Sequence, residues 1–241
     1  MPLEFRIDKN TPQLPLIERL INELLQENKL IEYIGRIFAI YYSNNKQDFP
    51  LDEIKEQIEI ILDTPKLSLS DEKFAELVSL LLEFYGLSAE QFSKRRADVL
   101  EKIIQTFGPF SPEIGLTDTN CYFEPIILDE GKEISRFQKK CDLVFHAADN
   151  KPLEFIECKA NISNVIPYCF ESIKKPHKDK ILYLSECYTY LTSKYREPKI
   201  LFACYNINYE RQLEGLKENG YAYMDIISTR EIMRRQIKCA Q

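Results

Sequence analysis

The sequence predicts an α/β protein with a central mixed β-sheet flanked by helices, preceded by an all-helical N-terminal region. Three observations lead there. Up to about residue 107 the apolar residues recur at three- and four-residue spacing, the period of a helix. After Pro112 they fall into alternating or short continuous runs, the signature of strands. From about residue 170 helical and strand patterns alternate, and a chain of 241 residues is long enough to bury the resulting core.

The helices come first. Leu16, Ile17, Leu20, Ile21, Leu24 and Leu25 make one stripe, Leu30, Ile31, Ile34, Ile37, Phe38 and Tyr41 a second, and residues 51–62 a third. Ser70 is placed to cap a helix from Asp71 to Phe84 that Gly86 stops. Ser88 opens a further helix through Phe107, closed by Gly108 and Pro109. Strands are expected at 121–128, 140–147 and 152–159, with Asp149 and Asn150 as the turn between the last two. A helix over 170–194, a strand over 198–205, a helix over 209–219, a strand over 221–227 and a helix from Ser228 complete the order. Strands joined by short turns pair antiparallel and strands joined through a helix return in parallel, so a mixed sheet follows. The period change divides the chain into a helical region, 1–87, and a sheet-bearing region, 88–241, although no flexible linker separates them and the helices can equally be an extension of one continuous domain.

Composition narrows the function classes. No run of eighteen apolar residues exists, and the opening MPLEFRIDKN lacks the pattern of a signal peptide, so a cytoplasmic location and no membrane partner are expected. Seven cysteines, odd in number and never in a C-x-x-C pair, read as small buried hydrophobes rather than a zinc or disulfide framework. The net charge of −6 argues against a uniformly basic nucleic-acid-gripping surface. The acidity is local: residues 1–88 hold nine Lys and Arg against sixteen Asp and Glu, leaving 23 against 22 of the totals of 32 and 38 for the rest. Two histidines and no Gly-rich phosphate loop disfavour histidine-based hydrolases, NTPases and dinucleotide enzymes.

The segments KKCDLVFHA and PLEFIECKA hold the chemistry. On a strand side chains alternate, so Glu157 and Lys159 share one face while Ile156 and Cys158 take the other, and Asp142 on the adjacent strand can meet the first face. Two carboxylates held close repel unless a cation lies between them, and Mg²⁺ suits one or two carboxylates plus waters and a phosphate oxygen. Lys159 is then placed to orient a water and offset charge at phosphorus.

This Asp, hairpin, Glu-x-Lys arrangement resembles the PD-(D/E)xK, or restriction-endonuclease-like, superfamily over roughly residues 88 to 227. Cys141 stands where the family's first motif has proline. The resemblance implies a restriction-endonuclease-like core. It makes Asp142 and Glu157 metal ligands, the Cys158 carbonyl a further possible ligand, and Lys159 the catalytic lysine. It also implies a Glu on the preceding helix, Glu101 in RRADVLEKIIQTFG, with Asp98 one turn earlier as the alternative. The activity implied is Mg²⁺-dependent hydrolysis of DNA phosphodiester bonds, with Mn²⁺ as a substitute. The context implied is a type II restriction or related defence nuclease, with a homodimer suiting double-strand cutting. Basic clusters able to contact phosphate are Lys94, Arg95, Arg96; Arg136, Lys139, Lys140; and Lys174, Lys175, His177, Lys178, Lys180. The aromatic residues at 168–171 and 187–191 fall at helical spacing, where core packing is expected over base stacking. Two other functions stay open: an inactive nuclease-like module whose acidic helices dock a basic partner, and a nuclease acting on RNA.

Overall fold

Helices fill the first half of the chain because its apolar residues can be buried on one side of each. The computed structural model describes residues 3–7, 14–45, 47–115, 119–147 and 151–239, so the expected turn at Asp149 and Asn150 lies outside the described residues. A short strand, β1 (Glu4–Arg6), precedes helix α1 (Pro15–Gln26), which starts on a proline where a missing N–H costs nothing. α1 buries Ile17, Leu20, Ile21 and Leu24, whereas Leu25, on the predicted stripe, is 58% exposed. Helices α2 (Leu30–Ile40), α3 (Leu51–Leu62), α4 (Asp71–Tyr85) and α5 (Ala89–Phe107) follow. The Ser70 hydroxyl accepts the Lys73 N–H at the start of α4, and Ser88 with Gln91 forms a capping box at α5, each satisfying donors a helix start leaves orphaned.

The single strand expected over 121–128 is two. β2 (Asn120–Phe123) and β3 (Ile126–Asp129) belong to different sheets. Between them Glu124 takes a positive φ of 39° and donates its N–H to the Asp142 carbonyl, while Pro125 has no N–H to continue a ladder. β3 instead pairs antiparallel with β1 and with β4 (Lys132–Glu133). β1 and β4 are too short to carry a readable period.

The main sheet has the order β2-β5-β6-β7-β8, with β5 (Leu143–His146), β6 (Glu154–Lys159), β7 (Lys199–Cys204) and β8 (Met224–Ser228). β2, β5 and β6 pair antiparallel, and β6, β7 and β8 pair in parallel through the crossover helices α6 (Lys175–Lys194) and α7 (Glu210–Glu218). α6 starts later than its apolar pattern suggests. Phe170–Ser172 form only a 3₁₀ turn, and Pro176 fixes the first turn of the helix. Helix α8 (Thr229–Cys239) closes the chain. The described residues thus contain eight α-helices, a five-stranded mixed sheet and a three-stranded sheet, and none of those helices is long and apolar enough to cross a membrane.

Strand alternation sorts the sheet into two faces. Leu143, Phe145, Ile156, Cys158, Leu201 and Ala203 join the apolar cluster that also fills α1 to α5. Val144, Phe155, Ile200, Phe202 and Cys204 face α6, packing with Ile181, Leu184, Cys187 and Leu191. Each fully buried Leu, Ile or Phe stabilises by about 1.5–3 kcal/mol, so both layers are held chiefly by apolar burial. The first cluster is continuous from Ile17 to Ile232. α2 crosses α8 at close range: a Cβ on Gly35 would lie 1.9 Å from the Thr229 hydroxyl oxygen, so only glycine fits.

Candidate active site at the carboxyl end of strand β6

The hairpin register explains how the acidic residues meet. Leu143 is opposite Ile156, so Asp142, one residue earlier, falls opposite Glu157 on the face turned to α6. The two are locked by short contacts. Asp142 Oδ2 accepts the Cys158 N–H at 2.7 Å and lies 3.3 Å from Lys159 Nζ. Lys159 Nζ also stands 2.7 Å from Glu157 Oε1. Glu157 is wholly buried, and its Oε1 contacts that ammonium without the alignment of a hydrogen bond.

A fourth group completes the cluster. Lys180, in the second turn of α6, donates from Nζ to Glu157 Oε2 at 2.8 Å and to the Lys140 carbonyl, and stands 3.9 Å from Asp142 Oδ1. Two carboxylates and two ammoniums therefore share one low-dielectric space. Burial, then the Asp142 charge, pushes the Glu157 carboxyl above its ordinary range against the pull of both lysines. Burial alone would lower both lysines, but Glu157 and Asp142 outweigh it and hold them above the usual ammonium value.

Glu101 approaches from the opposite layer, on α5. It is half-buried, and burial followed by the charges of Asp142 and Asp98 raises its carboxyl to about 7. Beside it a cavity of about 90 Å³ opens between α1 and α5, lined by Ile17, Glu18, Asp98 and Phe123 among others. Asp98 itself is engaged by Arg95 at 2.8 Å. The Cys158 side chain packs into the apolar cluster on the α5 side, so this residue meets the site through its backbone.

The basic residues separate. Partial burial, and after it the charges of Lys159, Lys174, Lys139 and Lys180, hold the His177 imidazole below its ordinary value. Lys174, Lys175 and Lys178 are exposed at the start of α6, and Lys94 is exposed on α5. Lys140 is half-buried. Arg96 sits elsewhere: it is 7% exposed, donates to the Phe38 carbonyl and lies under Tyr205, whose hydroxyl donates to the Arg96 carbonyl. Arg96 is therefore a core residue tying α2 to α5, not a surface contact for phosphate.

Lys180 appeared in the sequence only as one of a run of surface cations. The signal that distinguishes it is its place on the stripe Lys180, Leu184, Cys187, Leu191, where a lysine is the one polar member of the inward face. Glu154 belongs to no motif visible in the sequence. It is fully buried at the other end of β6, accepts the N–H groups of Phe110 and Ser111 at 2.8 and 2.7 Å, and burial raises its carboxyl to about 7.

Among the described residues no three His, Cys, Asp or Glu side chains form a metal-holding group, and Asp142 with Glu157 make a pair of oxygen donors. Comparison with protein-family models and with curated protein sequences gave no match.

Proposed function

We propose that this chain is a divalent-metal-dependent endonuclease hydrolysing phosphodiester bonds in DNA, with a restriction-endonuclease-like core and a catalytic centre of Asp142, Glu157 and Lys159 assisted by Glu101. One observation carries the reading. Asp142, Glu157 and Lys159 come from two neighbouring strands to one point at the end of β6, within 3.3 Å of each other through the lysine. A type II restriction or related defence role, and a homodimeric form, extend the same reading by resemblance.

The donor set fits a hard cation. Both groups are carboxylates, and the buried Glu157 Oε1 faces the Lys159 ammonium at 2.7 Å without the alignment of a hydrogen bond. Asp142 and Glu157 would hold Mg²⁺ or Mn²⁺, with the Cys158 carbonyl as a further oxygen. Bound there, the ion would supply charge neutralisation at phosphate and a more acidic coordinated water. The chain's own residues do the rest. Lys159 Nζ, fully protonated at neutral pH, orients the attacking water and offsets negative charge at phosphorus. Glu101, poised near neutrality, takes or holds a proton at its carboxyl beside Asp142. Lys139, Lys174 and Lys175 offer cations to the flanking phosphates.

A second reading has its own observation: two ammoniums already balance the two carboxylates, as a purely structural cluster in an inactive interaction module would have it. One experiment decides. Plasmid and genomic DNA are incubated with Mg²⁺ or Mn²⁺, beside EDTA and the Glu157→Ala and Lys159→Ala variants. Metal-dependent fragments lost in both variants support the nuclease. No cleavage of DNA or of an RNA panel, with no metal binding by calorimetry, leaves the inactive module.

A further inference from the structure

Most aromatic side chains here are buried or half-buried, but Tyr168 is 68% exposed. It lies nine residues beyond Lys159, in the loop between β6 and α6, and this loop is fastened down. The Ile162 N–H donates to Asn206 Oδ1 at 2.8 Å, Gln212 Nε2 donates to the Ser163 hydroxyl at 3.0 Å, and Val165 and Ile166 are buried. The Arg211 guanidinium, at the start of α7, lies 5.6 Å from the centre of the Tyr168 ring. An exposed ring held by an arginine on an anchored loop keeps its orientation at little further entropic cost, as a stacking surface requires.

The surroundings indicate what stacks on it. The loop leads into α6, whose first turns expose Lys174, Lys175 and Lys178, and Arg211 adds a fourth cation. Of the acids near it in the chain, Glu171 accepts the Cys169 thiol at 3.1 Å and Glu210 accepts the Tyr209 N–H at 3.1 Å, while Glu214 is exposed one turn along α7 from Arg211. Tyr42, also exposed, has a different setting, packed edge-on against Phe49 beside the acidic residues Asp48, Asp52 and Glu53. Two residues further on, Phe170 begins a separate row of half-buried rings through Tyr221, Tyr223 and Tyr188, with centres 5.9, 6.3 and 3.7 Å apart in turn.

We infer that Tyr168, braced by Arg211, is a stacking platform for an unpaired base of the nucleic-acid strand that passes the Asp142–Glu157–Lys159 site, so that the substrate is single-stranded or locally opened there. The inference rests on the nuclease reading and adds the form of its substrate. Aromatic faces take any base, while the lysines take the phosphates between them, so the platform is sequence-tolerant.

The chain has no tryptophan, so Tyr168→Trp introduces a single indole that reports stacking directly. Fluorescein-labelled oligo(dT), oligo(U) and a blunt DNA duplex are titrated in EDTA, which holds off cleavage, against the wild-type, Tyr168→Ala and Tyr168→Trp chains. Oligo(dT) should bind Tyr168→Ala at least about tenfold more weakly, bind Tyr168→Trp as wild type, and quench its fluorescence, with duplex affinity changed less than about twofold. Stronger binding of oligo(U) with the same Tyr168 dependence would keep the platform and make the strand RNA. Equal single-strand affinity for wild type and Tyr168→Ala, or equal losses for strand and duplex, would overturn the platform while leaving the nuclease reading standing. Binding of none of the three probes, in EDTA and again with Ca²⁺ in its place, would overturn both.

Discussion

Lys180 and Lys159 hold the same carboxylate from opposite sides: Nζ of Lys180 is 2.8 Å from Glu157 Oε2, and Nζ of Lys159 is 2.7 Å from Oε1. One lysine arrives from the helix over the sheet and the other from the strand itself, so Glu157 fixes α6 to β6 as well as serving the proposed chemistry.

Removing the helix lysine therefore has a stability cost distinct from any effect on cleavage. Lys180→Met should destabilise the chain in EDTA by about 3–5 kcal/mol, the cost of stranding a buried partner, as read by urea denaturation. Adding Glu157→Gln to it should recover part of the loss, because no charge is then left uncompensated. A double variant as unstable as the sum of the two singles would show that the pair is not coupled.

Buried carboxyls set the acid side of the stability profile. The Glu101 and Glu154 carboxyls are raised by burial from 4.5 to about 7, and Glu157 is raised in the same direction. Between pH 4.5 and about 7 the folded state binds more protons than the unfolded state at these groups, so stability falls as pH rises through that window. Each contributes a slope of up to about 1.4 kcal/mol per pH unit, and above about pH 7 the dependence levels off. Thermal melts in EDTA should therefore give a higher midpoint at pH 5.5 than at pH 7.5. Glu101→Gln should reduce that difference, and an unchanged profile would remove Glu101 from the account.

Arg96 and the α6 lysines should separate cleanly in salt titrations. Arg96→Met removes the donor to Phe38 O from the core and should lower stability by about 1–3 kcal/mol, leaving the salt dependence of DNA binding as it was. Lys174→Gln with Lys175→Gln should leave the melting midpoint within a degree or so and reduce the slope of log affinity against log salt by about 1 for each phosphate no longer neutralised. Equal slopes in both variants would place the DNA on another face.

The α2–α8 crossing offers a test of the packing alone. Gly35→Ala puts a methyl group into Thr229 and should cost about 1–3 kcal/mol in urea denaturation, whereas Gly215→Ala, whose nearest neighbour would be Phe170 at 3.6 Å, should be close to neutral. A neutral Gly35→Ala would mean that the two helices separate at no cost.

Much of the architecture is legible locally. The helix periods, the serine caps of α4 and α5, and the succession of antiparallel hairpin and parallel crossovers each depend on residues within one turn or one strand of each other, and the sequence alone settles them. Strand alternation likewise places Glu157 and Lys159 on one face before any tertiary contact is considered. Three features wait on the fold. Glu124 and Pro125 split one apolar run between two sheets, because β3 finds its partner in β1, more than a hundred residues earlier. Arg96 and Lys180 read alike as surface cations, yet one is buried by α2 and the other is drawn to Glu157, since only packing determines which lysine or arginine loses its water. Tyr168 looks like part of a packed stripe at helical spacing, but α6 starts only at Lys175, after the 3₁₀ turn at Phe170–Ser172, so Tyr168 stays outside the helix and exposed. Local spacing determined the elements and the faces, while long-range burial, where desolvation must be met by a partner, decided which charged and aromatic groups are left to act.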